Sequence, residues 1–213
     1  MKPKVLVIGD YTNFKYHQLP NMDRVMQSLL GGEMDVVCTE DYGELRAERI
    51  AAYRLVVSYS DRWGKPVDDD MADGLLSYVA GGGSLLAIHN GIALQAHEKL
   101  KLLFGAVFAG HPPYCWLEVK PVSDREWLRG IGAFRITDEP YRFDFLPGAG
   151  CEPLLEYEYE GQSYPAGWIR THGKGRVVYL MPGHDGSTFL NDAYQQLLSQ
   201  VCRGLTGESG GHA

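Results

Sequence analysis

The ordered pattern begins with an unbroken apolar run inside "KPKVLVIGDYTNF". A run from Lys4 to Gly9 with no polar alternation predicts a strand buried on both faces. In "LPNMDRVMQSLLGG" the apolar positions Met22, Val25, Met26, Leu29 and Leu30 recur at helical spacing, and Gly31-Gly32 stops the pattern. "MDVVCTE" predicts a second strand, "GELRAERIAAY" a short helix and "YRLVVSYS" a third strand. "KPVDDDMADGLLSYVAGGG" predicts a helix whose acidic first turn suits the helix dipole. "SLLAIH" is the fourth strand, and Gly91 to Phe104 the helix expected after it. Strand-then-helix units in succession imply right-handed crossovers and a doubly wound, mostly parallel α/β sheet.

After Gly105 the pattern changes. "YCWLEVKPV", "AFRITDEPYRFD", "PLLEYEYEG", "YPAGWIRTHG" and "GRVVYLMPG" are short, rich in aromatics and separated by Gly and Pro rather than by helices. They predict an antiparallel or mixed β elaboration in the second half. Its last member, Gly175 to Met181, is apolar enough to return to the main sheet. "STFLNDAYQQLLSQVCRGL" predicts a closing helix with Ser187 as its N-cap. The expected organisation is one domain over residues 1–206 and a polar, glycine-rich tail over 207–213.

Composition narrows the class. Hydrophobic residues at 45% and charged residues at 22% are ordinary globular values in a chain of 213 residues. The formal charge of -7 is spread along the chain, and no basic cluster could neutralise several phosphates, so nucleic acid is not an expected partner. The apolar run Val5 to Ile8 is too short for a signal-peptide core or a membrane span, and no membrane association is expected. Cys38, Cys115, Cys151 and Cys202 lie far apart with no C-x-x-C, as expected of reduced thiols in a cytoplasmic protein. Apolar sheet edges favour a homo-oligomer.

In an open parallel sheet ligands collect at the carboxyl ends of the strands. Asp10 and Tyr11 follow the first strand, with His17 further along that loop. Ser60, Asp61, Arg62 and Trp63 follow the third, His89 and Asn90 the fourth, and His184 and Asp185 the strand ending at Met181. Histidines remote in sequence are thereby brought to one rim. "GGGSLLAIHNGIALQA" has the strand, sharp turn and helix of a nucleophile elbow, but its tip carries His89 in place of Ser or Cys. A neutral imidazole at that tip can ligate a metal, act as a base or donate a hydrogen bond; a purely structural histidine packed at a tight turn is the competing account. In "PGHDGS" His184 and Asp185 are adjacent, so one is expected to point inward while the other holds the loop. His111 is held by Pro112-Pro113, and Glu139 in "ITDEPYRF" can serve as acid, base or metal ligand. His97 and His172 are expected on solvent and in a hairpin turn, and His212 in the tail. No H-x-x-x-H or H-E-x-x-H spacing occurs, so a metal site would have to be assembled from separate loops. Imidazoles from His89, His111 and His184 beside a carboxylate would suit zinc or another divalent ion. Trp63 and Trp168 are candidates for a face on which a sugar ring stacks, with His17, Asp61, Asn90 and His111 as further substrate contacts.

Together "GGGSLLAIHNG", "FGAVFAGHPP", "ITDEPYRF" and "GKGRVVYLMPGHD", in that order, resemble the ThuA-like (trehalose utilisation) family of the class I glutamine amidotransferase-like superfamily. The resemblance runs from about Val5 to Leu205 and implies a flavodoxin-like sheet and a role in sugar metabolism, with trehalose or related oxidised disaccharides as substrates. Carried over by position, it implies a pocket lined by His89, His111, Glu139, His184 and Asp185. Pro140 and Asn90-Gly91 depart from the family's pattern and bear on substrate identity. With His89 where an amidotransferase has cysteine, no glutamyl thioester can form and glutamine hydrolysis is excluded. The expected function is a hydrolase, isomerase or lyase acting on a sugar or keto-sugar through His89, Glu139, His184 and Asp185. The alternative is a non-catalytic small-molecule-binding or interaction module on the same fold.

Overall fold

The computed structural model describes residues 2–12 and 16–207. The expected tail from 208 onward, with His212, lies outside the described residues. The first half alternates strand and helix: β1 (Lys4–Gly9), α1 (Leu19–Leu30), β2 (Asp35–Thr39), α2 (Ala47–Ile50), β3 (Leu55–Tyr59), α3 (Asp69–Ala80), β4 (Ser84–Ile88) and α4 (Glu98–Lys101). The second half is β5 (Ala106–Gly110), β6 (Cys115–Pro121), β7 (Phe134–Asp138), β8 (Arg142–Phe145), β9 (Glu152–Tyr159), β10 (Gln162–His172) and β11 (Gly175–Leu180), closed by α5 (Asp192–Thr206).

One sheet of nine strands runs β2-β1-β3-β4-β11-β10-β9-β6-β7. From β2 to β11 every pairing is parallel, and from β11 to β7 every pairing is antiparallel. β11 therefore does return to the main sheet, pairing Val177 with Leu85 and Leu180 with Ile88. The parallel strands are continuous apolar runs because helices cover both faces: α1 packs with α5 on one side, and α2, α3 and α4 pack together on the other. Val5 to Ile8, Leu55 to Val57 and Leu85 to Ile88 are wholly buried. β5 and β8 form a separate two-stranded ribbon. Among the described residues no helix is long and apolar enough to cross a membrane, and all four cysteines are free thiols.

Three local expectations are corrected. The helix expected from Gly91 to Phe104 is a 3-10 turn, His89–Ala96, followed by the single turn α4. Here His97 turns extended and its ring accepts from the Lys99 amide, so the side chain restarts the helix instead of continuing it. His97 is also not solvated: its ring is largely covered and lies 3.5 Å from Asp69. Ser187 does not cap α5, because its hydroxyl and amide are both engaged by Asp185. Asn191 caps instead, accepting from the Tyr194 amide at 3.1 Å. At Gly91 a Cβ would lie 1.9 Å from the Ser58 carbonyl oxygen, which fixes glycine where the chain leaves β4 against β3.

Candidate functional site

Four loops at the carboxyl rim each deliver one side chain. His17 comes from the loop after β1, His89 directly follows β4, and His184 comes three residues beyond Met181. Glu139 follows β7, the outermost strand of the antiparallel half, which returns to the same mouth because Asp138 anchors there. Both His17 and His89 have left-handed backbones, with φ 52° and 49°. Among the described residues only Glu160 shares that conformation without being glycine. A side chain held there costs about 1–3 kcal/mol and persists only where its surroundings over-determine it.

The rings converge. His17 Nε2 lies 3.2 Å from His184 Nδ1. That same His184 nitrogen is 3.1 Å from Glu139 Oε2, and His89 Nε2 is 3.3 Å from the same oxygen. One ligand atom from each of His17, His89, Glu139 and His184 lies within 4.8 Å of the others. His89 is wholly buried, and its Nδ1 is 2.7 Å from the Met181 carbonyl oxygen. A carbonyl only accepts, so Nδ1 carries a proton, and in the neutral ring Nε2 presents a lone pair to the cluster. That lone pair meets a carboxylate oxygen. Two acceptors at 3.3 Å repel unless a cation, either a proton or a metal ion, lies between them.

The donor set fits zinc. Three imidazole nitrogens and a carboxylate oxygen are its usual ligands, and bonds of about 2.0–2.1 Å place tetrahedral ligand atoms roughly 3.3 Å apart. Three of the six separations, 3.1, 3.2 and 3.3 Å, match that edge, and all six lie within 4.8 Å. His89 donating Nδ1–H to a backbone carbonyl is also how metal-bound imidazoles are held in one tautomer.

Charge is divided unevenly in the cluster. Partial burial pushes Glu139 up, but hydrogen bonds and positive charge from His184 and His89 outweigh it and hold the carboxyl well below its usual range. Burial lowers His184, yet its bond to Glu139 and that carboxylate's charge leave it raised. For His17, burial is larger than the pull of Asp61, and its basicity falls.

Other rim residues take different places. His111 is outside the four-atom group: its Nε2 lies 3.8 Å from Glu139 Oε1, the carboxylate oxygen facing away from the cluster, and its Nδ1 donates to the Pro112 carbonyl at 2.9 Å. In the four-atom group that could hold a metal, His17 stands in place of the expected His111. Asp61 stands behind His17 at 3.7 Å. Of the adjacent pair, His184 points inward, whereas Asp185 accepts from the Ser187 amide and hydroxyl and from the Tyr114 hydroxyl, and holds the loop. Asn90 is wholly buried and neither atom of its amide has a partner among the described residues. Trp63 is 39% exposed and tilts over Phe108 at 5.3 Å. Through Phe108 and Tyr141 it continues an aromatic strip that ends 4.2 Å from the His89 ring. Trp168 offers no stacking face: it is 1% exposed and donates to the Phe104 carbonyl inside the core.

One organising residue escaped the sequence reading. Asp138 is wholly buried. Its Oδ2 accepts from the Gly183 amide at 2.8 Å, the Thr188 hydroxyl at 3.0 Å and the His184 amide at 3.3 Å. Its Oδ1 accepts from the Glu139 amide at 2.8 Å and lies 3.4 Å from His89 Nδ1. This single carboxylate ties the Glu139, His184 and His89 loops together.

Fold and site thus define a doubly wound α/β protein that presents histidine, not cysteine, at the elbow turn. The chain belongs to the ThuA (trehalose utilisation) family, whose model matches residues 4–203. Among solved structures it is similar to a ThuA-like protein from Bacteroides uniformis, at 17% identity over 96% of this chain and 92% of that one, with TM-score 0.76. A ThuA-like protein from Parabacteroides merdae matches at 18% identity over 100% of this chain and 93% of that one, also with TM-score 0.76. A cold-adapted β-galactosidase from Rahnella sp. R3 shares the fold over 95% of this chain but only 31% of its own, at 14% identity and TM-score 0.68. The comparison with curated proteins yields no match.

Proposed function

We propose that this protein is a carbohydrate-processing enzyme, a hydrolase, isomerase or lyase of a sugar or keto-sugar, whose His17-His89-Glu139-His184 cluster holds a divalent ion such as zinc. The observation that carries the reading is the convergence of three imidazoles on one carboxylate, with His89 Nε2 and His184 Nδ1 at 3.3 and 3.1 Å from Glu139 Oε2, contacts that a proton or a divalent ion can bridge. Membership of a trehalose-utilisation family supports the substrate class. When bound, the ion would polarise a substrate carbonyl or hydroxyl and acidify a water. Because the Glu139 carboxyl is held well below its usual range, it orients His111 Nε2, 3.8 Å from its Oε1, as the base that takes a proton from the substrate. His111, about one-third exposed, exchanges that proton with solvent. Trp63 gives the apolar face of a pyranose a ring to lie against. Asp185 acts by positioning, since both its oxygens are committed to the loop.

The test is elemental analysis of untagged protein, then thermal shift with zinc and with trehalose, glucose and a keto-sugar. Stoichiometric metal, with sugar responses that vanish in His89→Ala, is the expected result. Protein that neither retains nor binds a divalent ion and responds to no sugar refutes the proposal. Sugar binding without turnover by the zinc-loaded protein would move the conclusion to a binding module.

A further inference from the structure

We infer that the crevice beside the cluster, at the carboxyl ends of β1 and β3, is a binding site for the anionic group of the substrate, a carboxylate or a phosphate carried on a sugar. The sugar half of this statement rests on the function proposed above; the anion half does not.

Position is the first argument. β1 lies between β2 and β3 in the sheet, so the chain leaves β1 toward one side and β2 returns to the other. The strand order reverses there, and such a switch point leaves an open crevice between the loops. A cleft of about 410 Å³ occupies it, lined by Asp10, Glu40, Asp61, Arg62, Gly64 and Lys65. Asp61 joins the cleft to the cluster through its 3.7 Å approach to His17.

Charge commitment is the second argument. Of the three acids of the cleft, Glu40 and Asp10 hold hydrogen bonds within the protein, and the Asp61 carboxylate stands 3.7 Å from His17. Glu40 accepts from the Tyr11 and Thr12 amides at 2.9 Å each and from the Thr12 hydroxyl. Asp10 Oδ2 accepts from the Tyr42 hydroxyl at 2.9 Å and from the Asp61 amide at 3.2 Å. The cations are not so committed. Among the described residues neither Arg62 nor Lys65 has a carboxylate oxygen within 4.0 Å. The Arg62 guanidinium lies over the Tyr42 ring, 3.6 Å from its centroid. Arg62 Nε is buried with no hydrogen-bond partner. Stacking fixes the plane of the guanidinium and leaves its N–H edge for an acceptor, and a planar fork matches the two oxygens of a carboxylate or phosphate. A buried N–H left unpaired is costly, and an incoming oxyanion removes that cost. Lys65 at the exposed lip adds a second positive charge.

The experiment is calorimetric titration of the metal-stripped protein with inorganic phosphate, in wild type, Arg62→Gln and Lys65→Gln. Wild type is expected to bind phosphate, and Arg62→Gln to weaken it by about 10-fold or more, the usual cost of a lost charge-assisted bond. Lys65 is exposed, so its variant keeps the fold and is expected to give a smaller, salt-sensitive loss. No phosphate binding by wild type, or binding unchanged in both variants, overturns the site. A second arm compares glucose 6-phosphate, gluconate and glucose on the zinc-loaded protein. A preference for either acidic sugar over glucose that disappears in Arg62→Gln supports the inference and tells which anion is taken; equal, measurable responses to all three overturn it. Phosphate bound through Arg62 with no sugar response supports the anion site and leaves the carbohydrate reading as the part that failed.

Discussion

Asp138→Asn is the most exacting test of how the site is built. The carboxylate accepts from the amides of Glu139, Gly183 and His184 and from the Thr188 hydroxyl, all in the interior. An asparagine has one acceptor and one donor end. With its oxygen toward Gly183 and Thr188, its NH2 meets the Glu139 amide and the proton on His89 Nδ1. With the amide reversed, the NH2 meets the Gly183 and His184 amides. Either orientation strands at least one backbone donor, at about 1–3 kcal/mol, and strips the charge from the bonds that remain. The expected destabilisation is about 3 kcal/mol by denaturant titration, or roughly 6–12 °C in melting temperature for a chain of this size. Zinc affinity, measured by competition with a chromophoric chelator, should fall about 10–100-fold, as it does when the partner orienting a metal-bound imidazole is lost. A variant with wild-type stability and zinc affinity within about twofold would refute the assignment of Asp138 as the tie between the loops.

Three further outcomes follow from the geometry. His17→Ala should lose stoichiometric zinc by elemental analysis while His111→Ala keeps it, because only the former supplies an atom of the four-atom group; the reverse pattern would restore the set expected from sequence. Zinc affinity should fall as pH falls, since a protonated imidazole cannot ligate, and should begin to fall above the ordinary imidazole value of 6.5 because Glu139 raises His184 despite its burial. Chelator competition across that range checks this, and a flat profile would contradict it. Trp168→Ala should cost about 3–5 kcal/mol of stability, as a fully buried ring does. Trp63→Ala, at a surface position, should stay within about 1 kcal/mol while abolishing thermal shifts by sugars; denaturant titration and thermal shift together separate the two.

The parallel half of the fold was legible because its strands are covered on both faces, and a doubly buried strand shows itself as an unbroken apolar run. The rim was legible for a related reason. Once the strands are parallel, whatever follows each one must gather at the same edge, so His17, His89 and His184 could be brought together without any local motif. Choosing among rim residues required information the pattern does not hold. His17 reaches the cluster through a left-handed backbone at φ 52°, which no spacing announces. In "ITDEPYRF" Glu139 stands out beside a proline, whereas Asp138 is marked only by strand alternation within Phe134–Asp138, which puts it on the buried face with Phe134 and Ile136. That alternation was the available signal. Trp168 was misplaced because its cover comes from Phe143 and Phe145 of the separate ribbon, a tertiary contact invisible in its own segment.

The elbow itself explains why histidine suits a turn shaped for a nucleophile. Such a turn holds its tip residue at positive φ and aims the side chain at the rim, whatever that side chain is. Cysteine there would present one reactive atom. Imidazole presents two, and the protein has already committed one of them: Met181, on the neighbouring strand's exit, accepts the Nδ1 proton at 2.7 Å. The ring can then neither rotate nor change tautomer without breaking a buried hydrogen bond. What remains is a lone pair fixed in direction and set against a carboxylate whose own second oxygen is left for other work. Strain in the backbone, a pinned tautomer and an acceptor opposite an acceptor are each unfavourable alone. A proton or a divalent ion at their meeting point would offset the repulsion between the two acceptors, and the proposed placement of the chemistry at this cluster rests on that contact.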